Sequence, residues 1–468
     1  MRTGLVSKVF GAFKGPARQN AVGSLLIQGS MRLSRFAVVI AAAALLSPSS
    51  FAAAALAIAL TDLIRGGLQA FDVDAVRLLS RGDNASGVVQ ASLDAKALSG
   101  IAGLGLVAAI AAFVYDPATA WLVAVSGLGV LAASFGTSFL VKQQAALDLR
   151  SMSARVAAAS AVGAVVGVLL AWLTRGAAGV VVGAAIGDGL LLAFVCGTHR
   201  WKRPDFRAAV TQVRESRRLL FMQFAYISQF RVGTIVLAAV GSDVAVGEYA
   251  IASRVAEGLI ILAAALTASS LPMIGAAHAR NERLGLVSIF ERSYSVGIRI
   301  IAPAVAAIVV AAPLWIGILF PLYPDVGTSV AIAGFAVIIY FASSQTTALL
   351  NATHHDRPAS WSAVAALLAS TLGSLALFPL GAVGVAWARV AGEIVRLCVE
   401  ATAAVRVLGI RPAELVRPWL TVSPILVGFA VAVAGDWQPP YVWVAVLVVL
   451  AGTTHLLTAF REGSRLPT

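Results

Sequence analysis

Near the start of the chain, QGSMRLSRFAVVIAAAALL sets two arginines into an otherwise apolar stretch. Ser24, Gln28, Arg32 and Arg35 follow one another at intervals of four, four and three, which is one face of a helix. Asp62, Arg65, Gln69 and Asp72 repeat the pattern at three, four and three. Farther along, Gln223, Gln229 and Arg231 lie in FMQFAYISQFRV, Arg254 and Glu257 stand three apart, and Arg299 stands alone. A guanidinium presents a rigid fork of donors that matches carboxylate and phosphate oxygens two at a time. Arginines outnumber acids in this set. The chemistry it suits is the holding of an anion, and an amphipathic one such as a phosphorylated lipid carrier is the natural guest.

The elements that must position these residues follow from composition. Hydrophobic residues make up 59% of the chain and charged residues 12%. A soluble domain of this length carries about twice that charged fraction. A chain this apolar has lipid as its solvent, and backbone groups in lipid are satisfied only in helices or closed barrels. The apolar runs are continuous and about 20 residues long, which is the helical pattern, since barrel strands would alternate. About fourteen spans are expected: 21–46, 51–74, 98–114, 119–140, 156–174, 178–197, 218–240, 246–274, 294–319, 327–350, 359–378, 381–404, 419–434 and 441–460. With the N-terminus in the cytoplasm, about 26 of the 35 Lys and Arg fall in cytoplasmic loops and tails, as the positive-inside rule requires. Arg175 is the one basic residue left outside. Both termini are therefore expected on the cytoplasmic side.

The net charge of +13 is read as a topology signal, not as a nucleic-acid footprint, because the basic residues sit in short loops beside helices. The outer loops barely turn the chain, and no GxxxxGK[ST] loop occurs, so the sequence offers no nucleotide-driven motor. Cys196 and Cys398 fit no metal or redox spacing, and His354-His355, with one acid (Asp356) and no cysteine beside it, reads as loop residues, so no metal site is expected. No cofactor is expected either.

An internal repeat organises the chain. GAAGVVVGAAIGDGLLLAFV from Gly176 aligns without gaps with GAVGVAWARVAGEIVRLCVE from Gly381, matching Gly179 to Gly384 and Gly187 to Gly392 and setting Asp188 against Glu393. ALAIAL in the second span matches EYAIAS in the eighth. Both matches are six spans apart, so the halves are parallel repeats about an axis along the membrane normal. The fold class is an all-α polytopic membrane protein of two pseudo-symmetric six-helix lobes plus two C-terminal helices. The divisions are a basic N-terminal segment 1–20, an N-lobe 21–197, a basic linker 198–217, a C-lobe 218–404, and C-terminal helices and tail 405–468. Gly163-xxx-Gly167 and Gly179-xxx-Gly183-xxx-Gly187 are candidates for close helix packing.

An arginine at mid-bilayer costs about 2.5–3.5 kcal/mol on insertion scales, so it faces a bundle interior or a wet cavity. Arg32, Arg35, Arg65, Arg231, Arg254 and Arg299, with Gln28, are the candidate substrate-binding set, lining a cationic cleft of the kind transporters place between two bundles. A structural reading stands beside this one. Asp62 with Arg65, and Arg254 with Glu257, can neutralise each other, and Asp62 or Asp72 can reach Arg32 and Arg35 from the neighbouring helix. Arg389, Glu393, Arg396 and Glu400 alternate in sign along one face and read as structural charges.

In these features the chain resembles the polysaccharide (oligosaccharidyl-lipid) flippases of the multidrug/oligosaccharidyl-lipid/polysaccharide exporter superfamily. The resemblance runs over nearly the whole chain. It rests on ALLSPSSFAAAALAIAL, FLVKQQAALDLRSMSARVAAASAVGAVVG, VGEYAIASRVAEGLIILAAALTASSLPMI and LLNATHHDRP. It implies a bacterial plasma-membrane flippase, not an enzyme. Its substrate would be an undecaprenyl-diphosphate-linked oligosaccharide, moved to the outer leaflet by alternating access and coupled to H+ or Na+. Membrane lipids and the polysaccharide polymerase or export machinery would be its partners. The chain departs from the resemblance where many relatives carry an acid near Arg231–Gly233, which puts cation coupling through that span in doubt. A lipid II flippase and a cation-coupled multidrug exporter are the rival readings.

Overall fold

The computed structural model describes residues 16–80, 84–146, 149–196, 204–310, 312–353 and 355–434. Within them lie fourteen α-helices: α1 (Pro16–Leu45), α2 (Pro48–Ser80), α3 (Ala85–Val114), α4 (Pro117–Ala145), α5 (Arg150–Thr174), α6 (Ala177–Cys196), α7 (Phe206–Val240), α8 (Asp243–Ala279), α9 (Arg283–Val310), α10 (Ala312–Leu319), α11 (Val326–Ala352), α12 (Asp356–Leu377), α13 (Gly381–Leu408) and α14 (Pro412–Ala434). Ten segments are long and apolar enough to cross a membrane. The protein is a multi-pass, all-α membrane protein. The expected span 441–460 lies outside the described residues.

Local chemistry sets several helix ends. Proline opens α2, α4 and α14, where a missing N–H costs nothing. Asp116 caps α4 by accepting from the Thr119 backbone N–H at 2.8 Å and its hydroxyl at 2.7 Å. Gly409 closes α13 at φ +66°, a left-handed conformation that a side chain resists. Three boundaries differ from expectation. α3 starts at Ala85, well before the expected 98, because Asp94 and Lys96 on its early turns are buried against neighbours instead of trailing into a loop. α7 starts at Phe206, inside the stretch expected as a linker. There Asp205 Oδ1 accepts from the N–H groups of Arg207 (2.9 Å) and Ala208 (3.1 Å) and nucleates the helix. α14 starts at Pro412, before the expected 419.

The chain divides into two units, residues 1–231 and 232–468. In the first, α5 packs on α6, α4 on α6 and α3, α2 on α4, α3 and α6, and α1 on α5. In the second, α12 packs on α13, α11 on α13 and α9, and α8 on α11, α9 and α13. Apart from α1 on α5, the second pattern repeats the first six spans later, so the repeat seen at α6 and α13 extends to the helix packing within each unit. α14 adds to α9, where Trp419 Nε1 donates to the Tyr294 hydroxyl at 3.1 Å.

Glycine decides how closely helices approach where lipid supplies no hydrophobic drive. A Cβ on Gly183 would lie 2.5 Å from Gly167 Cα, and one on Gly163 would lie 2.7 Å from Gly187 Cα. The α5 and α6 backbones therefore touch along the two glycine ridges. This seats α6, and Asp188 with it, deep in the first unit.

Candidate functional site

Arg35 sits ten residues before the end of α1 at Leu45, which is about 15 Å along the axis at 1.5 Å per residue. Asp62 is about 21 Å into α2 from Pro48, Arg65 about 26 Å, Asp188 about 17 Å into α6 from Ala177, and Arg231 about 14 Å from the end of α7. These ends lie where α1 turns into α2, where α5 turns into α6 and where α7 ends. Measured from those ends against a hydrocarbon core about 30 Å thick, Arg35, Asp188 and Arg231 fall in the middle third, Asp62 at its edge, and Arg65 about 6 Å beyond it.

They form one chain of charges. Arg35 Nη2 lies 3.2 Å from Asp188 Oδ1, and Arg65 Nη2 lies 2.6 Å from Asp188 Oδ2. Arg65 Nε approaches Asp62 Oδ1 at 3.4 Å, and Arg231 Nη2 reaches Asp62 Oδ2 at 2.8 Å. Three guanidinium groups from α1, α2 and α7 thus share two carboxylates from α2 and α6, which leaves the cluster cationic. The Arg65 Nε contact is close enough for an ion pair but badly aimed. Its N–H is buried and hydrogen-bonds to nothing among the described residues. That is a spare donor inside a cationic cluster. Gln229, two residues before Arg231, is buried with neither amide atom hydrogen-bonded among the described residues. The cluster's open side is at Arg35, whose side chain is 32% exposed, while that of Asp188 is 15% exposed.

Arg32 is part-buried on the same helix as Arg35, and Gln28 is exposed. Asp72 does not reach either arginine of α1. It is taken by Lys96, whose Nζ lies 2.5 Å from Asp72 Oδ1, 2.6 Å from the Ser134 carbonyl and 3.2 Å from Thr137 Oγ1. Lys96 is fully buried, and Thr137 donates to Asp72 Oδ2 at 2.8 Å. This second cluster ties α2, α3 and α4 together. A third tie joins α2 to α7, where Gln212 (2.5 Å) and Ser216 (2.7 Å) both donate to Asp74.

In the second unit, Arg254 Nη1 meets Glu257 at 2.8 Å on α8. Arg299 on α9 is part-buried, makes no ion pair among the described residues, and keeps a buried Nε without an acceptor. Arg389, Glu393, Arg396 and Glu400 of α13 are all buried. Arg396 Nε lies 3.1 Å from Glu400, and its Nη1 lies 4.0 Å from Glu393. Glu400 also accepts from Thr347 and Ser362, each at 2.7 Å, and Arg396 donates to Thr347 at 2.9 Å. Arg389 is almost fully buried on the same face. These groups cross-link α13 to α11 and α12.

Sequence reasoning left two residues of the first unit without a role. Asp188 had a visible signal, since it is the acid set opposite Glu393 in the repeat. Lys96 fell just outside an expected span that began too late. No group of three His, Cys, Asp or Glu placed to hold a metal ion occurs among the described residues.

Comparison with known proteins agrees with this architecture. The lipid II flippase MurJ in an inward closed conformation superposes with a TM-score of 0.70 at 12% identity, over 94% of this chain and 100% of that one. An inward-facing multidrug resistance MATE family transporter of the MOP superfamily matches with a TM-score of 0.61 at 16% identity, over 80% and 96% of the two chains. A MOP superfamily transporter from Pyrococcus furiosus, described as having a binding pocket of reversed polarity, matches with a TM-score of 0.60 at 13% identity, over 90% and 99%. No curated protein matches in sequence. The chain shares the fold of these flippase and transporter structures. A family model described as polysaccharide biosynthesis protein matches residues 41–321. The chain belongs to that family of polysaccharide biosynthesis proteins.

Proposed function

We propose that this protein flips a polyprenyl-diphosphate-linked oligosaccharide from the cytoplasmic to the outer leaflet of the bacterial plasma membrane, for cell-surface polysaccharide synthesis. The observation that carries the reading is the cluster of Arg35, Arg65 and Arg231 on three apolar helices, several turns from the helix ends and cationic even with Asp62 and Asp188 counted. A diphosphate is the anion that such forks hold best, because its oxygens accept paired donors from more than one guanidinium. The lipid tail stays in the bilayer, and alternating access carries the glycan across. No covalent step is needed. Arg32 and Gln28 on α1 extend the same face toward the substrate, and Arg254 and Arg299 are the second unit's anion contacts. A proton or Na+ gradient would drive the cycle, and the polymerase that extends the flipped unit would be the downstream partner.

The rival readings differ in cargo. A cation-coupled drug exporter needs uncompensated carboxylates, whereas Asp62 and Asp188 are both engaged by arginine. A lipid II flippase shares the diphosphate chemistry and differs in the glycan. The test uses a strain that lacks the protein. It should accumulate one complete lipid-linked repeat unit facing the cytoplasm, and the Arg32→Ala/Arg35→Ala protein, at normal level, should not clear it. Intact surface glycans with no accumulation would overturn the reading.

A further inference from the structure

Asp188 is set between Arg35 and Arg65, so that one carboxylate oxygen meets each guanidinium, at 3.2 and 2.6 Å. That is the geometry in which a phosphate oxygen pair would meet them. We propose that Asp188 is a resident stand-in for the substrate diphosphate. It occupies the arginines while the carrier is empty and yields them when the anion arrives. The inference rests on the flippase reading above and assigns to this site a specificity and reset residue.

Three observations support it. First, the repeat gives a control. Glu393 holds the position in α13 that Asp188 holds in α6, yet its side chain is fully buried, while that of Asp188 is 15% exposed and its partner Arg35 is 32% exposed. The Asp188 site is open to a ligand where its counterpart is closed. Second, Arg65 gives Asp188 only its Nη2, at 2.6 Å, while its buried Nε lies 3.4 Å from Asp62 Oδ1 without forming a hydrogen bond among the described residues, so its fork is only partly used. Third, a carrier must return empty. Guanidinium groups left unpaired in low dielectric would make that return costly, and a carboxylate that swaps back in removes the cost. Asp62 does not serve, because Arg231 holds it at 2.8 Å from the other side.

The test uses the full-length protein in nanodiscs and proteoliposomes, with farnesyl-diphosphate-linked N-acetylglucosamine as probe. Its diphosphate is a diester, so its charge is constant near neutral pH. Asp188→Asn should bind the probe roughly tenfold more tightly, a gain of about 1.4 kcal/mol. It should also transport it more slowly over many turnovers while keeping a normal first turnover. Asp188→Glu should restore both values. A merely structural aspartate would give weaker binding in the asparagine variant, and that result, or unchanged affinity in a folded protein, overturns the proposal. If the asparagine variant does not fold, Asp188→Ser is read in the same way. Arg35→Gln/Arg65→Gln/Asp188→Asn separates the two ideas: wild-type affinity in this triple variant would sink the arginine site itself, whereas lost affinity there together with weakened Asp188→Asn would sink only the stand-in.

Discussion

Replacing Lys96 with methionine should destabilise the first unit by several kcal/mol, and neutralising Asp72 as well should recover much of the loss. Lys96 has no exposed surface, and its ammonium is surrounded by Asp72, the Ser134 carbonyl and Thr137. Methionine keeps the stem packed but removes the charge. Asp72 would then keep only the Thr137 hydroxyl, at 2.8 Å. Breaking one partner of a buried pair costs about 3–5 kcal/mol, because an uncompensated charge stays behind. The Asp72 side chain is 17% exposed, so water relieves part of that, and about 2–4 kcal/mol is expected. Lys96→Met/Asp72→Asn leaves no charge and should cost at least about 1 kcal/mol less than the single change. Denaturant unfolding of the purified protein in mixed micelles gives the four corners of the cycle. The reasoning fails if the single variant is as stable as the parent, or if the double variant is no better than the single.

Two other perturbations test the packing and the caps. Gly183→Leu should abolish folded protein, since even a Cβ there would lie 2.5 Å from the Gly167 backbone, while Gly189→Ala on the same helix, where a Cβ meets nothing within 4 Å, should express normally. Yield of monodisperse protein distinguishes the two. Asp116→Ala should loosen the start of α4 at a cost of about 1 kcal/mol, read by amide exchange at Thr119. The Thr119 hydroxyl and backbone bonds hold the Asp116 carboxyl below its usual range. A depressed carboxylate stabilises above its unfolded pKa and loses that contribution as pH falls through the folded value. Protection of the Thr119 amide, taken relative to its intrinsic exchange rate at each pH, should therefore fall only on acidification below about pH 4, and the alanine variant should show no such step.

Most of the helical architecture was legible in the sequence, because hydrophobic run length is a one-dimensional signal. The two-lobe repeat was visible in a gapless match of glycines, and those glycines are the α5–α6 contact itself. Polar turns at helix starts were harder to read. Gln90, Asp94 and Lys96 looked like loop, yet each is held by a tertiary partner or a helical neighbour: Asp94 bonds to Gln90 and to the Asp205 N–H, and Lys96 to Asp72. The arginine stripes on α1 and α2 were readable from spacing alone. Their counter-charge was not, since Asp188 lies more than 120 residues beyond Arg65 and no local period connects them.

The most direct measurement of the central claim is transport by purified protein in proteoliposomes. The cargo would be a labelled polyprenyl-diphosphate oligosaccharide, with its leaflet read by an enzyme that cannot cross the bilayer. Arg35→Gln/Arg65→Gln/Asp188→Asn removes the upper part of the charge cluster without leaving a lone carboxylate, and leaves Asp62 with Arg231 in place. The account predicts time-dependent movement of the labelled lipid by the parent protein and none above empty vesicles by the triple variant. Equal rates for the two would contradict it.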